Sequence, residues 1–284
     1  SANLKDNNSL NNHLLPGLET GGVPKKLKGT VLTFNYNQYE QLEDLVNKHN
    51  DIGVIKMEVQ RDSVPAKNFL KNIRELANKK EIVLIFDECT SGFRETYGGL
   101  YKKYNVQPDI IIFGKAIGNG YAINAILGKK KIMEMTKSTF ISSTFWTERI
   151  GPTAAIKTLE IMKREKSWKK ITKTGLEIKK RWKKLSDRYE LNLLISGLSA
   201  LPNFTFESKN HLAYKTLITQ EMLSKGYLAG NTVYVCTEHN SEILNGYFEE
   251  LDKIFNLIKE CEEGRDIKKL LKGKICRSGF KRLT

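Results

Sequence analysis

The chain has 284 residues, 40% hydrophobic and 28% charged, the proportions of a globular protein able to bury a substantial core in one large or two medium domains. No apolar run reaches the roughly 18 residues of a membrane helix, and Cys89, Cys236, Cys261 and Cys276 are scattered without a CxxC pair, which argues against a disulfide framework or zinc site and for a reduced, cytoplasmic setting. Lys and Arg number 47 against 32 Asp and Glu, a net charge of +15 that admits nucleic acid or an anionic membrane as partners until the charges are placed along the chain.

The first 28 residues, rich in Asn, Gly and Pro, read as a loop. They have neither the basic start nor the apolar core of a signal peptide. Thr30 to Tyr36 alternates as a strand, and Gln38 to His49 carries Tyr39, Leu42, Leu45 and Val46 at helical spacing. Ile52 to Val59 predicts a second strand, with Glu58 near its end. Pro65 opens a helix running to about Lys79, since proline suits a first turn. Strands alternating with helices imply a parallel sheet with helical crossovers.

Two apolar runs follow, Ile82 to Phe86 and Ile110 to Phe113, too short for helices and rich in β-branched residues. The first meets a carboxylate at Asp87, and the second is followed at Lys115 by an amine, 28 positions on. In an open α/β sheet, ligands bind at the carboxyl ends of strands. Lys115 stands in Phe-Gly-Lys-Ala-Ile-Gly-Asn-Gly, where Gly114, Gly118 and Gly120 permit close backbone approach and positive φ. A lysine in a confined, partly apolar site loses stabilisation of its charged form and becomes the nucleophile a Schiff base requires. A nearby Asp can keep a pyridinium nitrogen protonated. The plainer alternative is that Lys115 snorkels from a strand end while Asp87 caps a turn, and the residues alone leave both open.

Beyond Lys115, Ala122 to Leu127 reads as a strand and Lys129 to Met135 as a short helix. Ile141 to Thr147 is hydroxyl-rich, and Glu148 to Met162 predicts a helix. Thr144 can bond a phosphate oxygen or cap that helix, and Arg149 can meet a carboxylate or simply lie exposed at the helix start. A long helix from Glu165 to about Tyr189 carries Trp168, Ile171, Ile178, Trp182 and Leu185 on one face and leaves its lysines outward. Without a nucleic-acid motif, that reads as a solvated face, with RNA or phosphate attraction the minor alternative. Short strands at 191–196 and 203–207, a helix at 211–225, a strand near 227–236 and a helix at 241–262 complete an α+β pattern before the basic tail KICRSGFKRLT.

Taken together, Leu-Ile-Phe-Asp87-Glu88-Cys-Thr90-Ser91-Gly92-Phe93-Arg94, Pro108-Asp109-Ile-Ile-Ile-Phe-Gly114-Lys115-Ala-Ile-Gly118-Asn-Gly120-Tyr, Ser142-Ser143-Thr144-Phe145-Trp146 and Gly151 to Glu160 resemble the class III pyridoxal-phosphate-dependent aminotransferases, with glutamate-1-semialdehyde aminomutase and related aminotransferases of sugar and cell-envelope pathways as near likenesses. The resemblance implies a fold-type I large domain, a mostly parallel sheet with helices on both faces, over 1–164, and a smaller α+β C-terminal domain over 165–284. It implies pyridoxal 5'-phosphate as cofactor, carried by Lys115 as a Schiff base, with Asp87 on the ring nitrogen and Thr144 reaching the phosphate of a neighbouring subunit. That makes a homodimer with shared sites the expected assembly. Thr90 falls where many relatives touch the cofactor's phenolic oxygen. Glu58 falls where a site carboxylate is expected, although Val59 departs from the family's Glu-Pro and a plain strand-end charge fits Glu58 as well.

The expected activity is transfer of an amino group between an amino donor and a keto or aldehyde acceptor. An aminomutase uses the same parts, and these residues do not separate the two. The resemblance begins inside the large domain, so the expectation is a chain without the upstream part that supplies the family's Gly/Ser phosphate cup and ring-stacking aromatic, and an inactive truncated fragment is a further reading. A basic nucleic-acid-binding protein on the same fold is the alternative outside enzymology. Other chemistries fit poorly. His13, His49, His211 and His239 have no metal-ligand spacing. Gly197-Leu-Ser199 lacks the second glycine of a nucleophile elbow, and the glycines around Lys115 match neither a dinucleotide fingerprint nor a P-loop.

Overall fold

The computed structural model describes residues 24–27 and 29–278. In chain order these form α1 (Tyr39–Lys48), β1 (Val54–Met57), α2 (Phe69–Lys79), β2 (Val83–Glu88), α3 (Tyr101–Tyr104), β3 (Ile110–Phe113), β4 (Ala125–Gly128), α4 (Lys130–Met133), α5 (Ile150–Glu165), α6 (Ser167–Arg188), β5 (Leu193–Leu198), β6 (Leu201–Phe206), α7 (His211–Ser224) and α8 (Ser241–Glu262). The expected loop over the first 28 residues and the end of the basic tail fall mostly outside the described residues.

One sheet has the order β1-β2-β3-β4, parallel across its first two pairings and antiparallel between β3 and β4. A parallel pair demands a crossover, and α2 supplies it between β1 and β2. One face of this sheet is closed. Ile55, Met57, Leu84 and Phe86 are buried with Leu42 and Val46 of α1 and Ile73 and Leu76 of α2, while Ile111 and Phe113 pack with Ala155 of α5. The opposite face carries Lys56, Ile85, Asp87 and Ile112 and is more open, with Val54 51% and Ile126 60% exposed at its margins.

Asp109 fixes the foot of the sheet. Its Oδ2 accepts the Leu84 N–H of β2 at 2.8 Å and meets Arg74 of α2 at 2.8 Å, while Oδ1 meets Lys129 at 2.7 Å. Its backbone N–H donates to the Leu84 carbonyl at 2.8 Å and its own carbonyl accepts from Lys129 N–H at 2.9 Å. A single residue therefore sets β2 against β3 and ties the chain as it leaves β4 to the start of β3.

A second core lies in the C-terminal part. Trp182 and Ile178 of α6, Phe204 and Phe206 of β6, Tyr214 of α7 and Phe255 of α8 are buried together, and the Trp182 indole N–H donates to the Tyr247 hydroxyl at 3.1 Å. The β5–β6 hairpin reaches out of this core. Leu198 and Leu201 at its tip are buried with α1 and α2, and the Ser199 N–H donates to Glu95 Oε1 at 2.5 Å. Gly175 of α6 lies under that tip, where an added Cβ would stand 1.6 Å from the Ser199 carbonyl oxygen.

Several expected elements change on folding. Thr30 to Tyr36 has the alternation of a strand but no ladder partner, and only Phe34 and Tyr36 pack onto the first core. The segment around 227–236 makes a single bridge, Asn203 to Thr232, in place of a strand. The helix after Pro65 begins at Phe69, behind Asn68 in a left-handed conformation (φ +63°). Lys166, also left-handed (φ +51°), separates α5 from α6. The outward lysines of α6 are exposed, and several cations on and beside it are answered locally, Lys183 by Asp187 at 2.6 Å and Arg188 by Asp252 at 2.6 Å.

Burial alone would raise the Asp109 carboxyl, but the Leu84 N–H, Lys129 and Arg74 outweigh it and hold it below the usual carboxylate range. A depressed folded pKa contributes stability that is present above the unfolded value, near 3.9, and lost as pH falls through the folded value. Asp109→Asn is expected to lower unfolding stability by about 3 kcal/mol at pH 7. In urea titrations the gap from wild type should shrink as pH falls below about 4; a gap that persists unchanged into acid would refute this account.

Candidate active site at the carboxyl rim of the sheet

The pairing of β2 with β3 sets Asp87 opposite Ile112 and Glu88 opposite Phe113. Because side chains alternate across a strand, the two neighbouring carboxylates leave on opposite faces. Asp87 leaves on the open face. Glu88 enters the closed face and has no exposed surface.

Glu88 organises the loop that follows β2. Its carboxylate accepts the Leu100 N–H, the Tyr101 N–H at 3.0 Å and the Ser91 hydroxyl at 3.1 Å. It thereby closes residues 89–100 into a loop whose two ends are held by one side chain. Burial pushes the Glu88 carboxyl up, with the donated hydrogen bonds working against the rise. The sequence carries one signal for this role, a charge placed in register with Leu84 and Phe86 on the buried face.

On the open face, Asp87 Oδ2 meets the Lys56 ammonium at 2.9 Å and Oδ1 accepts the Cys89 N–H at 3.2 Å. Burial alone would raise its pKa; Lys56 and the Cys89 N–H outweigh that and, with Lys115 adding attraction, hold the carboxyl below its ordinary value. Glu58, past the end of β1, is pushed up chiefly by burial. Arg61, 3.6 Å away, opposes the rise; Asp87 adds to it and Lys115 subtracts. Glu58, Asp87 and Lys115 therefore share one electrostatic neighbourhood.

Lys115 begins a single 3-10 turn after β3, and its Nζ donates to the Thr90 hydroxyl at 3.0 Å. The lysine itself takes a left-handed backbone, φ +42°, a conformation that costs a β-carbon-bearing residue about 1–2 kcal/mol and collects at functional sites. Of the three glycines around it, Gly120 has a positive φ, +106°, whereas Gly114 and Gly118 do not. Gly114 is required by contact, since a Cβ there would stand 2.4 Å from both Cys89 Sγ and Asn124 Oδ1. The amine is exposed, not confined, because it projects from the rim into the mouth of a cavity of about 1070 Å³. Asp87, Thr90 and Glu58 are not part of that cavity's lining.

Thr144 is exposed and does not reach this group. It does not cap α5 either; Glu148 accepts the Ile150 and Gly151 N–H groups there, the latter at 3.1 Å. Arg149 is exposed at the start of that helix. Of the five expected residues, Lys115 bonds Thr90, Asp87 and Glu58 feel the Lys115 charge at the same rim, and Thr144 stands apart.

The family model described as aminotransferase class-III matches residues 28–255. The 3-aminobutyryl-CoA aminotransferase of Cloacimonas acidaminovorans (strain Evry) is 33% identical over 240 residues, covering 79% of this chain and 57% of that protein. The glutamate-1-semialdehyde 2,1-aminomutase of Natranaerobius thermophilus is 29% identical over 257 residues, with 83% and 60% covered. The chain therefore spans about three-fifths of the length of these relatives. Among solved structures, the pyridoxal phosphate internal aldimine form of the FumI protein of Sphingopyxis sp. MTA144 superposes with a TM-score of 0.80 at 20% identity, over 90% of this chain and 64% of that one. The acetylornithine aminotransferase of Elizabethkingia anophelis gives 0.71 at 24% identity, over 80% and 60%. These likenesses establish the fold as that of fold-type I transaminases.

Removing the Glu88 carboxylate leaves two buried N–H groups without an acceptor, and Glu88→Ala is expected to cost about 2–4 kcal/mol of stability. Amide hydrogen exchange at Leu100 and Tyr101 should accelerate with it while exchange in α7 and α8 holds. Unchanged exchange at those two amides would show that the carboxylate does not hold the loop.

Proposed function

The chain belongs to the class-III aminotransferases, and from that premise we propose that it takes part in pyridoxal-phosphate-dependent transfer of an amino group between an amino donor and a keto or aldehyde acceptor, with Lys115 as the lysine that holds the cofactor. The observation that carries this reading is the pair of charges at the rim. Asp87 holds a cation on the open face, and Lys115, in the turn that follows the next strand, has no carboxylate within bonding distance among the described residues.

The residues fit the cofactor on these grounds. Asp87 is a carboxylate kept ionised by its surroundings, and its ion pair with Lys56 at 2.9 Å shows that it accepts a cation on the open face. Gly114, just before Lys115, lets Cys89 and Asn124 close onto the backbone at the rim, where a Cβ would stand 2.4 Å from each. When bound, pyridoxal phosphate supplies an aldehyde for the amine and a ring that draws electron density from the carbon bearing the amino group. Lys115 Nζ then carries the proton on and off that carbon. Asp87 would hold the ring nitrogen charged, Thr90 would orient the lysine through the 3.0 Å hydrogen bond, and Glu58 would add negative charge nearby. Lys56 has to share or give up Asp87. An aminomutase would use the same groups.

The assembly we propose is a homodimer in which Thr144 serves the neighbour's phosphate. Its support is the exposed apolar stretch around Thr144, where Phe140 is 95%, Phe145 76% and Trp146 66% exposed. The division into a cofactor-holding part over 1–164 and a smaller part over 165–284 belongs to the same proposal, supported by the separate cores. So does a cytoplasmic setting, supported by the free thiols. No helix of the described residues is long and apolar enough to cross a membrane.

Incubation with pyridoxal phosphate, borohydride reduction and peptide mass mapping should place the label on Lys115, and Lys115→Ala should abolish it. Absence of label, or label spread over surface lysines, would sink the assignment. Because an exposed ion pair is worth little, Lys56→Met should tighten cofactor uptake only roughly two- to five-fold; weaker uptake would mean that Lys56 helps the cofactor instead of competing with it. Sedimentation should find a dimer, and full turnover by a monomer would remove the shared-site proposal.

A further inference from the structure

One face of α5 runs the length of the cavity at Lys115. Ala154, Lys157, Thr158, Ile161, Met162 and Glu165 line it at helical spacing, and from the first of these to the last the helix rises about 16 Å. The start of this face lies beside the Lys115 turn, since Ala155 is buried with Ile117 and a Cβ on Gly151 would stand 3.2 Å from the Ala122 carbonyl oxygen. Arg94 shares that end, its Nε donating to the Thr90 carbonyl at 3.3 Å and its guanidinium over the Tyr234 ring, 5.5 Å from the centroid. The middle of the face is apolar at Ile161 and Met162.

The far end is cationic. Glu165 Oε1 meets Arg164 Nε at 3.0 Å and Oε2 meets Lys170 Nζ at 2.9 Å, so one carboxylate is shared between two cations. That sharing leaves the terminal nitrogens of Arg164 without an acceptor among the described residues and the Lys170 ammonium with donors to spare. Lys170 and Arg164 hold the Glu165 carboxyl below its usual range, which fixes a single negative charge between two positive ones. Lys163, Lys166 and Lys169 flank them, exposed and with no carboxylate within 4.0 Å among the described residues. The cavity, about 1070 Å³, slightly exceeds the roughly 300–1,000 Å³ typical of small-molecule sites. A compact amino acid held at Lys115 leaves this far end unfilled.

We propose that Arg164 and Lys170 form a phosphate subsite, and that the chain acts on an elongated substrate with its reacting amino or carbonyl group at Lys115, an uncharged middle along Ile161 and Met162, and a phosphate ester or diphosphate at the far end. This deepens the proposed function and rests on Lys115 being the reacting lysine. A second carboxylate has no advantage over Glu165, which is already there. A phosphate group brings nearly two charges and three acceptor oxygens, enough to engage the spare donors of both cations at once. The Glu165 pairs are exposed, so they are weak enough to loosen as the phosphate arrives.

Calorimetric titration with inorganic pyrophosphate, at one ionic strength, tests this without requiring turnover. The full chain is titrated before and after borohydride fixes pyridoxal phosphate on it, so that the cofactor's own phosphate seat is filled in the second case. Pyrophosphate should bind equally well in both. Its affinity should fall roughly 5- to 30-fold in the double variant Arg164→Met, Lys170→Met, with the Lys115 label at the wild-type level. The control double variant Lys180→Met, Lys184→Met, on the outward face of α6, should bind as the wild type does. No binding to the labelled chain, or unchanged affinity without Arg164 and Lys170, would overturn the proposal. So would an equal loss in the control, which means diffuse attraction to a basic surface, or succinate binding as tightly as pyrophosphate with the same losses, which means a carboxylate site. Binding that vanishes once the label is in place belongs to the cofactor's seat and would overturn it as well. Failure of the wild-type label strikes the Lys115 assignment, whereas a normal label with no pyrophosphate binding strikes the subsite alone.

Discussion

The site depends on the register of two parallel strands, which the buried carboxylate of Asp109 ties at the foot while that of Glu88 fixes the loop leaving the top. Asp109 at the foot bonds a backbone N–H of β2, a cation of α2 and a cation beyond β4. Glu88 at the top bonds backbone N–H groups across the loop that carries Thr90 and Arg94. Slipping β2 by one residue would exchange the faces of Asp87 and Glu88 and bury the wrong carboxylate. That Asp87 and Lys115 face the same rim closely enough to attract is thus a consequence of constraints outside the pair itself.

The two faces of the sheet follow different chemistry. The closed face is apolar, with Leu84, Phe86, Ile111 and Phe113 buried under helices. The open face mixes β-branched residues with Lys56 and Asp87, neither of which could be left unpaired in a dry core. An ion pair already standing on Asp87 keeps that carboxylate ionised, the condition a cationic ring requires. Such a pair is weak enough to yield, since Lys56 is 55% exposed.

Much of this was legible in the sequence because the informative signals are local. The apolar runs ending in Asp87 and Lys115 became adjacent strands, and the outward lysines of α6 became a solvated face. What was not legible depends on partners distant in the chain. Thr30 to Tyr36 alternates properly, but a strand needs an adjacent edge and none of the described residues supplies one. Lys56 lies 31 positions before Asp87 (87 − 56), and Tyr234 lies 140 beyond Arg94 (234 − 94), so neither contact leaves a periodic trace. The glycines around Lys115 signalled positive φ and close approach, and Gly120 takes the first and Gly114 the second, but the left-handed lysine between them left no sign in the sequence. The lysine carries the left-handed backbone, and Gly114 serves to let Cys89 and Asn124 close in.

The hairpin between β5 and β6 acts as a rivet. Its tip belongs to the C-terminal part by sequence, yet Leu198 and Leu201 are seated in the first core, with Ser199 tied to Glu95 and Gly197 to Asp62. Two bodies joined in this way cannot swing apart as jaws without extracting leucines from a packed interior. Admission to the cavity beside Lys115 then falls to lighter parts of its wall, such as the run from Tyr234 to Glu238 that forms no regular strand. Traffic through the site would be gated by a few side chains and not by rotation of whole domains.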